Sequence, residues 1–192
     1  MMRIITGTAR GTKLLSLDGD TTRPTSERAK EAMFSMLAFE VADRQVLDLF
    51  AGSGQLALEA LSRGATHATL VDQSPAAVDV IRKNVVKTHM EEKATVLQSD
   101  CVSYLLNTRP SKPFDLIFID PPYALHLVPE MLTRILSRGL ASPRAIFVCE
   151  SEEQDIFEGN ENLREQFTVR RVNRYAKAVV TILERKCEEE SI

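Results

Sequence analysis

The sequence predicts an α/β fold, a mostly parallel sheet with helices on both faces and an antiparallel edge. Three observations carry this. From residue 46 to residue 150, short apolar runs alternate with segments of helical periodicity, the pattern of right-handed βαβ crossovers. The run Phe114-Asp-Leu-Ile-Phe-Ile-Asp120 is nearly all apolar, as a central strand buried on both faces should be. The last two strands have only Tyr175-Ala176 between them, a turn that can join only antiparallel neighbours.

Taken in order, residues 3–17 carry the short apolar pairs Ile4-Ile5 and Leu14-Leu15 around Gly7 and Gly11, and read as a β-hairpin arm outside the sheet. Asp18 to Pro24 is polar and ends in proline, so it is a loop, and the arm is assigned to residues 1–24. A helix capped by Thr25 follows, with Ala29, Ala32, Met33, Met36 and Leu37 at helical spacing, and runs to about Glu40. Strand 46–50 then leads through a glycine turn to helix 54–63, stopped by Gly64. Strand 68–72 precedes helix 75–89, where Pro75 suits the first helical position. Strand 94–98 leads to a short helix around 101–107. Strand 114–120 is followed by helix 127–138, which ends at Gly139. Strands 145–150, 167–175 and 177–184 complete a main domain assigned to 25–187, ahead of a frayed tail at 188–192.

Composition narrows the class. The chain has 192 residues, 44% hydrophobic and 27% charged, which fits one domain with a sizeable core. No apolar run approaches the roughly 20 residues that span a bilayer, and the N-terminus lacks the apolar region of a secretory signal. Cys101, Cys149 and Cys187 are odd in number and widely spaced, with no C-x-x-C pair. A disulfide framework or a zinc site is therefore not expected, and a reducing cytoplasm fits best. The net charge of −3 argues mildly against general nucleic-acid binding. Charge is uneven, however. Residues 150–161 carry six acids and no Lys or Arg, whereas 164–186 carry seven Lys and Arg against two acids. The N-terminal segment adds Arg3, Arg10, Lys13, Arg23, Arg28 and Lys30, so a locally basic face is possible on an acidic protein.

In such a sheet, ligands bind beyond the C-terminal ends of the strands. Strand one ends in Phe50 and the turn Ala51-Gly52-Ser53-Gly54, strand two in Asp72, strand three before Asp100, and strand four in Asp120-Pro121-Pro122-Tyr123. Three acids and a Pro-Pro-Tyr corner thus converge on one edge. A strand, a glycine turn and a helix N-terminus make a nucleotide-cofactor site. Asp72, 18 residues after Gly54, can accept both hydroxyls of an adenosine ribose, or instead serve the helix that starts at Pro75. Asp100 can accept from an adenine amino group, or cap the helix at 101–107. Gly52-Ser-Gly-Gln-Leu-Ala57 matches the loose form of a dinucleotide fingerprint. Asp48 favours a methyl donor over a dinucleotide: a buried acid needs a partner, S-adenosylmethionine supplies an ammonium there, and a pyrophosphate would be repelled.

Asp120-Pro121-Pro122-Tyr123 is the sharpest signal. Two prolines remove two N–H donors and stiffen the turn, leaving carbonyls beside the Asp120 carboxylate. A pocket of acceptors suits a flat substrate bearing an amino group, and Tyr123 offers a ring for a base to stack on. Acceptors drawing on both N–H bonds would pyramidalise the amino nitrogen and aim its lone pair at a methyl group, with positioning supplying most of the rate gain.

These residues resemble the nucleic-acid amino-group methyltransferases. With Met2-Arg-Ile-Ile-Thr-Gly7, Arg23-Pro-Thr25-Ser-Glu-Arg28, Phe34, Leu58-Glu-Ala-Leu-Ser-Arg-Gly-Ala65 and Arg174-Tyr175, the resemblance is to the RsmD-like family, the 16S rRNA (guanine-N2) methyltransferases, and covers residues 2 to about 185. The resemblance implies a seven-stranded Rossmann-like, S-adenosylmethionine-dependent methyltransferase fold. It implies transfer of a methyl group to N2 of one guanine in 16S rRNA, within the small ribosomal subunit or its precursor, by a monomer without metal. By resemblance Phe50, Gly52 and Gly54 line the methionine part of the cofactor, Asp72 with Gln73 takes the ribose, Asp100 and Cys101 lie near the adenine, and Asp120 to Tyr123 holds the guanine. Arg3, Arg10, Arg23, Thr25 and Arg28 face RNA. Two departures stand out: Gln55 and Ala57 replace small residues after the second glycine, which could narrow the cofactor pocket, and Ala176 stands where a glycine usually follows the tyrosine. Two other readings share these residues: an adenine-N6 methyltransferase on DNA or RNA, and a non-catalytic cofactor-binding assembly module.

Overall fold

The computed structural model describes residues 2–17, 27–37, 39–122 and 125–186, with the side chains of the first helix described from Lys30 on. Seven strands form one sheet: β1 Gln45–Asp48, β2 His67–Asp72, β3 Ala94–Gln98, β4 Phe114–Ile119, β5 Ala141–Ser151, β6 Phe167–Tyr175 and β7 Ala178–Arg185. Their order is β3-β2-β1-β4-β5-β7-β6. The first five are parallel, while β7 inserts between β5 and β6 and runs antiparallel to both.

The alternation of side chains along β4 divides the core into two layers. Leu116 and Phe118 face one side with Val46, Leu58, Ile81 and Val85; Ile117 and Ile119 face the other with Leu47, Leu105, Leu132 and Ile135. The first layer is covered by α1 Glu27–Met36, α2 Gln55–Ser62 and α3 Pro75–Thr88, the second by α4 Cys101–Asn107, α5 Val128–Ser137 and the single turn α6 Glu161–Arg164. Every β4 residue except Asp115 is buried, which is why its sequence is a near-continuous apolar run. No helix among the described residues is long and apolar enough to cross a membrane.

The arm lies outside the sheet on the first layer. Arg3 and Lys13 form a lone antiparallel bridge, and Ile4, Ala9 and Leu14 enter the core. Its fastening explains Glu59, Ser62 and Arg63. The buried Glu59 carboxylate accepts the Ile5 N–H at 2.7 Å, the Thr6 N–H at 3.1 Å and Arg63 Nε at 2.7 Å. Ser62 Oγ accepts the Ala9 N–H at 3.0 Å and donates to the Thr6 carbonyl at 2.6 Å. Gly7 passes so close that a Cβ there would lie 1.7 Å from the Ser62 carbonyl oxygen.

Several boundaries differ from expectation, each for a local reason. α1 ends at Met36, short of Glu40, and Glu40 instead grips Arg170 through two hydrogen bonds of 2.9 and 2.7 Å. β5 starts at Ala141, ahead of the expected 145, because Ser142-Pro143-Arg144 looks like loop yet lies along β4 with a register irregularity. α6 was not expected; four residues are too few to show periodicity, and only the Asn160 side chain, accepting the Leu163 N–H at 3.1 Å, marks its start. Between β6 and β7, Ala176 adopts φ 56°, the left-handed conformation that glycine would take without strain. The loop expected at 18–24 and the tail at 188–192 lie outside the described residues.

Candidate functional site

The C-terminal ends of β1, β2 and β4 open into a cleft of about 390 Å³. Of the residues expected there, Phe50, Gly52, Asp72, Gln73, Asp100, Cys101, Asp120 and Pro122 line it. Asp48 and Gly54 do not line it but support its floor, and Pro121 faces a neighbouring cavity. Tyr123 lies outside the described residues. Sequence reasoning missed the apolar lining: Leu17 from the arm, Leu49, Val102, Leu125, and Leu127 and Met131 beside α5. In the sequence the α5 residues are indistinguishable from the core stripe of an amphipathic helix.

The glycine turn is held by backbone and by Asp72. The Ala51 N–H donates to the Val71 carbonyl at 3.1 Å and the Gly54 N–H to the Ala51 carbonyl at 2.6 Å. The Gly52 N–H donates to Asp72 Oδ2 at 2.8 Å, and the Ser74 N–H to Asp72 Oδ1 at 2.8 Å. Asp72 therefore anchors the turn, while Ser74 caps α3. Each carboxylate oxygen has a further lone pair for a ligand hydroxyl. Gly54, at φ 78°, is needed for packing as well as conformation, since a Cβ would sit 3.1 Å from Leu70 Cδ2. Gly52, at φ 55°, faces open space, with nothing nearer than 4.0 Å to a Cβ placed there. A side chain would fill a hollow that is free for a ligand to lie against the backbone.

Asp48 is almost fully buried, and no described residue donates a hydrogen bond to its Oδ2. Burial pushes its pKa up to about 7, against the pull of the Ala57 N–H; Asp72 adds to the rise, and Lys30 and the Phe50 N–H oppose it. A buried acceptor beside a turn with an open face fits a ligand that brings a positive charge. Gln55 does not narrow the cleft: it is buried away from it, and its side chain accepts from Lys30 Nζ.

Asp100 caps α4, its Oδ1 accepting the Ser103 N–H at 2.9 Å, and its hydrogen bond with the Ser103 hydroxyl leads the effects that hold its carboxyl below the usual range. Cys101 Sγ donates to the Leu49 carbonyl at 2.6 Å. Burial, followed by the negative Asp72, Asp100 and Asp48, pushes this thiol up to about 12, so it stays protonated and packs rather than reacts.

At the end of β4, Asp120 turns one shielded oxygen, Oδ1, inward, and Pro121 is buried while Pro122 is exposed. The Pro122 carbonyl accepts the Leu125 N–H at 3.1 Å. Behind this corner a second cavity of about 180 Å³ is walled by Pro121, His126 and Leu127 and by Glu150, Glu153, Asp155 and Glu158, so part of the acidic run at 150–161 gathers next to the corner. Arg3 and Arg10 are exposed on the arm. Arg23 and Thr25 lie outside the described residues, as does the side chain of Arg28. Among the described residues no group of three or more His, Cys, Asp or Glu is placed to hold a metal ion.

This strand order, with a glycine turn after β1, an acid after β2 and an Asp-Pro-Pro corner after β4, defines a Rossmann-like methyltransferase fold. The family model described as conserved hypothetical protein 95 matches residues 2–184, and the chain belongs to this RsmD-like family. Ribosomal RNA small subunit methyltransferase D of Escherichia coli K12 is 38% identical over 154 residues, covering 80% of this chain and 76% of that protein. The protein of the same name from Haemophilus influenzae is 32% identical over 153 residues, 79% of each chain. The solved structure of yhhF from Escherichia coli superposes with a TM-score of 0.85 at 33% identity, covering 97% of this chain and 99% of that one.

Proposed function

We propose that this chain transfers a methyl group from S-adenosylmethionine to the exocyclic N2 of a guanine in 16S rRNA of the small ribosomal subunit or its precursor. The observation that carries the reading is the two-walled cleft. Gly52, with Asp48 buried beneath the turn, forms one wall and Asp120 with Pro122 the other, with Asp72 and Asp100 at the adenosine end. The names and identities of the family members support rRNA as the substrate class.

S-adenosylmethionine supplies an electrophilic methyl group on a sulfonium. Asp48 pairs with its ammonium, Gly52 lets it approach the backbone, and Asp72 accepts from its ribose. Asp120, with the lone pair that the Pro122 carbonyl does not give to the Leu125 N–H, accepts the N–H bonds of the guanine amino group, so that the N2 lone pair points across the cleft. Bound there, S-adenosylmethionine would supply the methyl group for transfer to N2, and Asp120 would accept the proton that N2 loses. With amino-group acceptors on one side and the donor pocket on the other, catalysis is mainly positioning.

Asp120→Ala tests the division of labour. Methyl transfer to unmodified small subunits should fall by at least about a thousandfold, of order 4 kcal/mol of transition-state stabilisation, with S-adenosylmethionine affinity within a few-fold of wild type. Retained activity would sink the role given to Asp120.

A further inference from the structure

The arm is fastened to the domain at two places. One is Glu59 and Ser62, toward the C-terminal end of α2, and neither lines the cleft. The other is Asn84 in α3, whose side chain is completely buried. Its Oδ1 accepts the Leu15 N–H at 2.7 Å. Its Nδ2 donates to the Leu15 carbonyl at 3.0 Å and to the Ser53 carbonyl at 2.9 Å. The amide thus pairs with Leu15 as a neighbouring strand would, and it also grips Ser53, which follows the cleft-lining Gly52. A second thread runs from Ser53 Oγ to Met2 Sδ at 3.1 Å. Leu17, two residues beyond the tie, lines the cleft.

We propose that Asn84 is a positioning residue that couples the arm to the cofactor wall. Docking of Leu15 on Asn84 fixes the Ser53 carbonyl and with it the path of the backbone from Gly52 to Gly54, where the cofactor must lie. Conversely, a cofactor seated on the turn steadies the arm. The inference rests on the methyltransferase reading of the cleft. Coupling between two sites is reciprocal, so RNA held by Arg3 and Arg10 on the arm raises cofactor affinity, and the cofactor tightens RNA binding by the same factor. Asn84 suits this role for a chemical reason. Aspartate in its place keeps the acceptor for the Leu15 N–H but turns both donated bonds into repulsion with the Leu15 and Ser53 carbonyls.

The test combines hydrogen exchange with titration of S-adenosylmethionine on the full chain. It uses wild type, Asn84→Asp, and Ser62→Ala, which loosens the arm without touching the turn. In wild type, saturating cofactor slows exchange across residues 2–17; no change there overturns the coupling without recourse to any variant. Asn84→Asp weakens cofactor binding by roughly tenfold, whereas Ser62→Ala leaves it within about twofold. Equal affinity in Asn84→Asp and wild type overturns the proposal. If wild type binds no cofactor at all, the methyltransferase reading fails instead. The tie is then judged by exchange at residues 50–55 without ligand: faster in Asn84→Asp but not in Ser62→Ala supports it, and no difference between the two refutes it.

Discussion

Asp48→Asn should make the protein more stable and a worse binder at once. The native carboxyl is buried, and its pKa of about 7 lies above the usual value of 3.8. A group whose folded value is raised contributes stability only while it is neutral in both states, below about pH 4. As pH rises, the unfolded chain ionises Asp48 first, and stability falls until the native carboxyl ionises too, near pH 7. At about 1.4 kcal/mol per pH unit, the interval from 3.8 to about 7 sets an upper limit of about 4 kcal/mol on this penalty above neutrality. An isosteric amide removes it. Urea denaturation at pH 7.5 should show the variant more stable by about 1–4 kcal/mol, with the gain shrinking to less than half at pH 5. Binding moves the other way. An ammonium about 4 Å from an ionised Asp48 gains about 4 kcal/mol at an effective dielectric of 20, so allowing for partial solvation the variant should bind S-adenosylmethionine about a hundredfold more weakly. Calorimetry of the wild type near pH 6 in buffers of different ionisation enthalpy should show proton release on binding, because the ligand charge draws the Asp48 proton off. Loss of stability in Asp48→Asn at pH 7.5, or unchanged affinity, would refute the reasoning.

Two further outcomes follow from single features. Ala176 holds φ 56° in the β6–β7 turn, so Ala176→Gly should relieve strain of about 1–2 kcal/mol, less up to about 1 kcal/mol of added unfolded-state entropy, and thermal unfolding should shift by no more than a few degrees upward. A clear loss of stability would mean that the turn carries no strain. Arg3→Ala with Arg10→Ala should weaken RNA binding uniformly and reduce the salt slope by about one to two, read from filter binding across a salt series. An unchanged slope would move the RNA face away from the arm.

Much of this was legible in the sequence because burial on both faces writes itself as apolar runs. Every strand except β5 lies within two residues of its expected limits, and Asp72, Asp100, Asp120 and Pro122, past the ends of β2, β3 and β4, fall where the cleft opens. What escaped was set by tertiary contact. Asn84 follows the charged Arg82-Lys83 in the expected helix and carries no sequence signal, yet it is buried because the arm crosses it. Gln55, flagged as an intrusion on the cofactor pocket, turns instead toward Lys30. Asp100 could be read as ligand or cap with equal right from spacing alone, and the Ser103 N–H engages it as a cap. Pro143 hid the start of β5, because a proline in an apparent loop gives no sign that the chain has already joined the sheet.

On the reading proposed above, the cleft brings a methyl donor to the amino group of a guanine. The most direct measurement uses isotopically labelled S-adenosylmethionine and small subunits from cells lacking this protein, with the rRNA then digested to nucleosides and the label mapped to a position. Label should appear as N2-methylguanosine at a single site in 16S rRNA. Label on adenine N6, or none transferred while the cofactor binds, would contradict it.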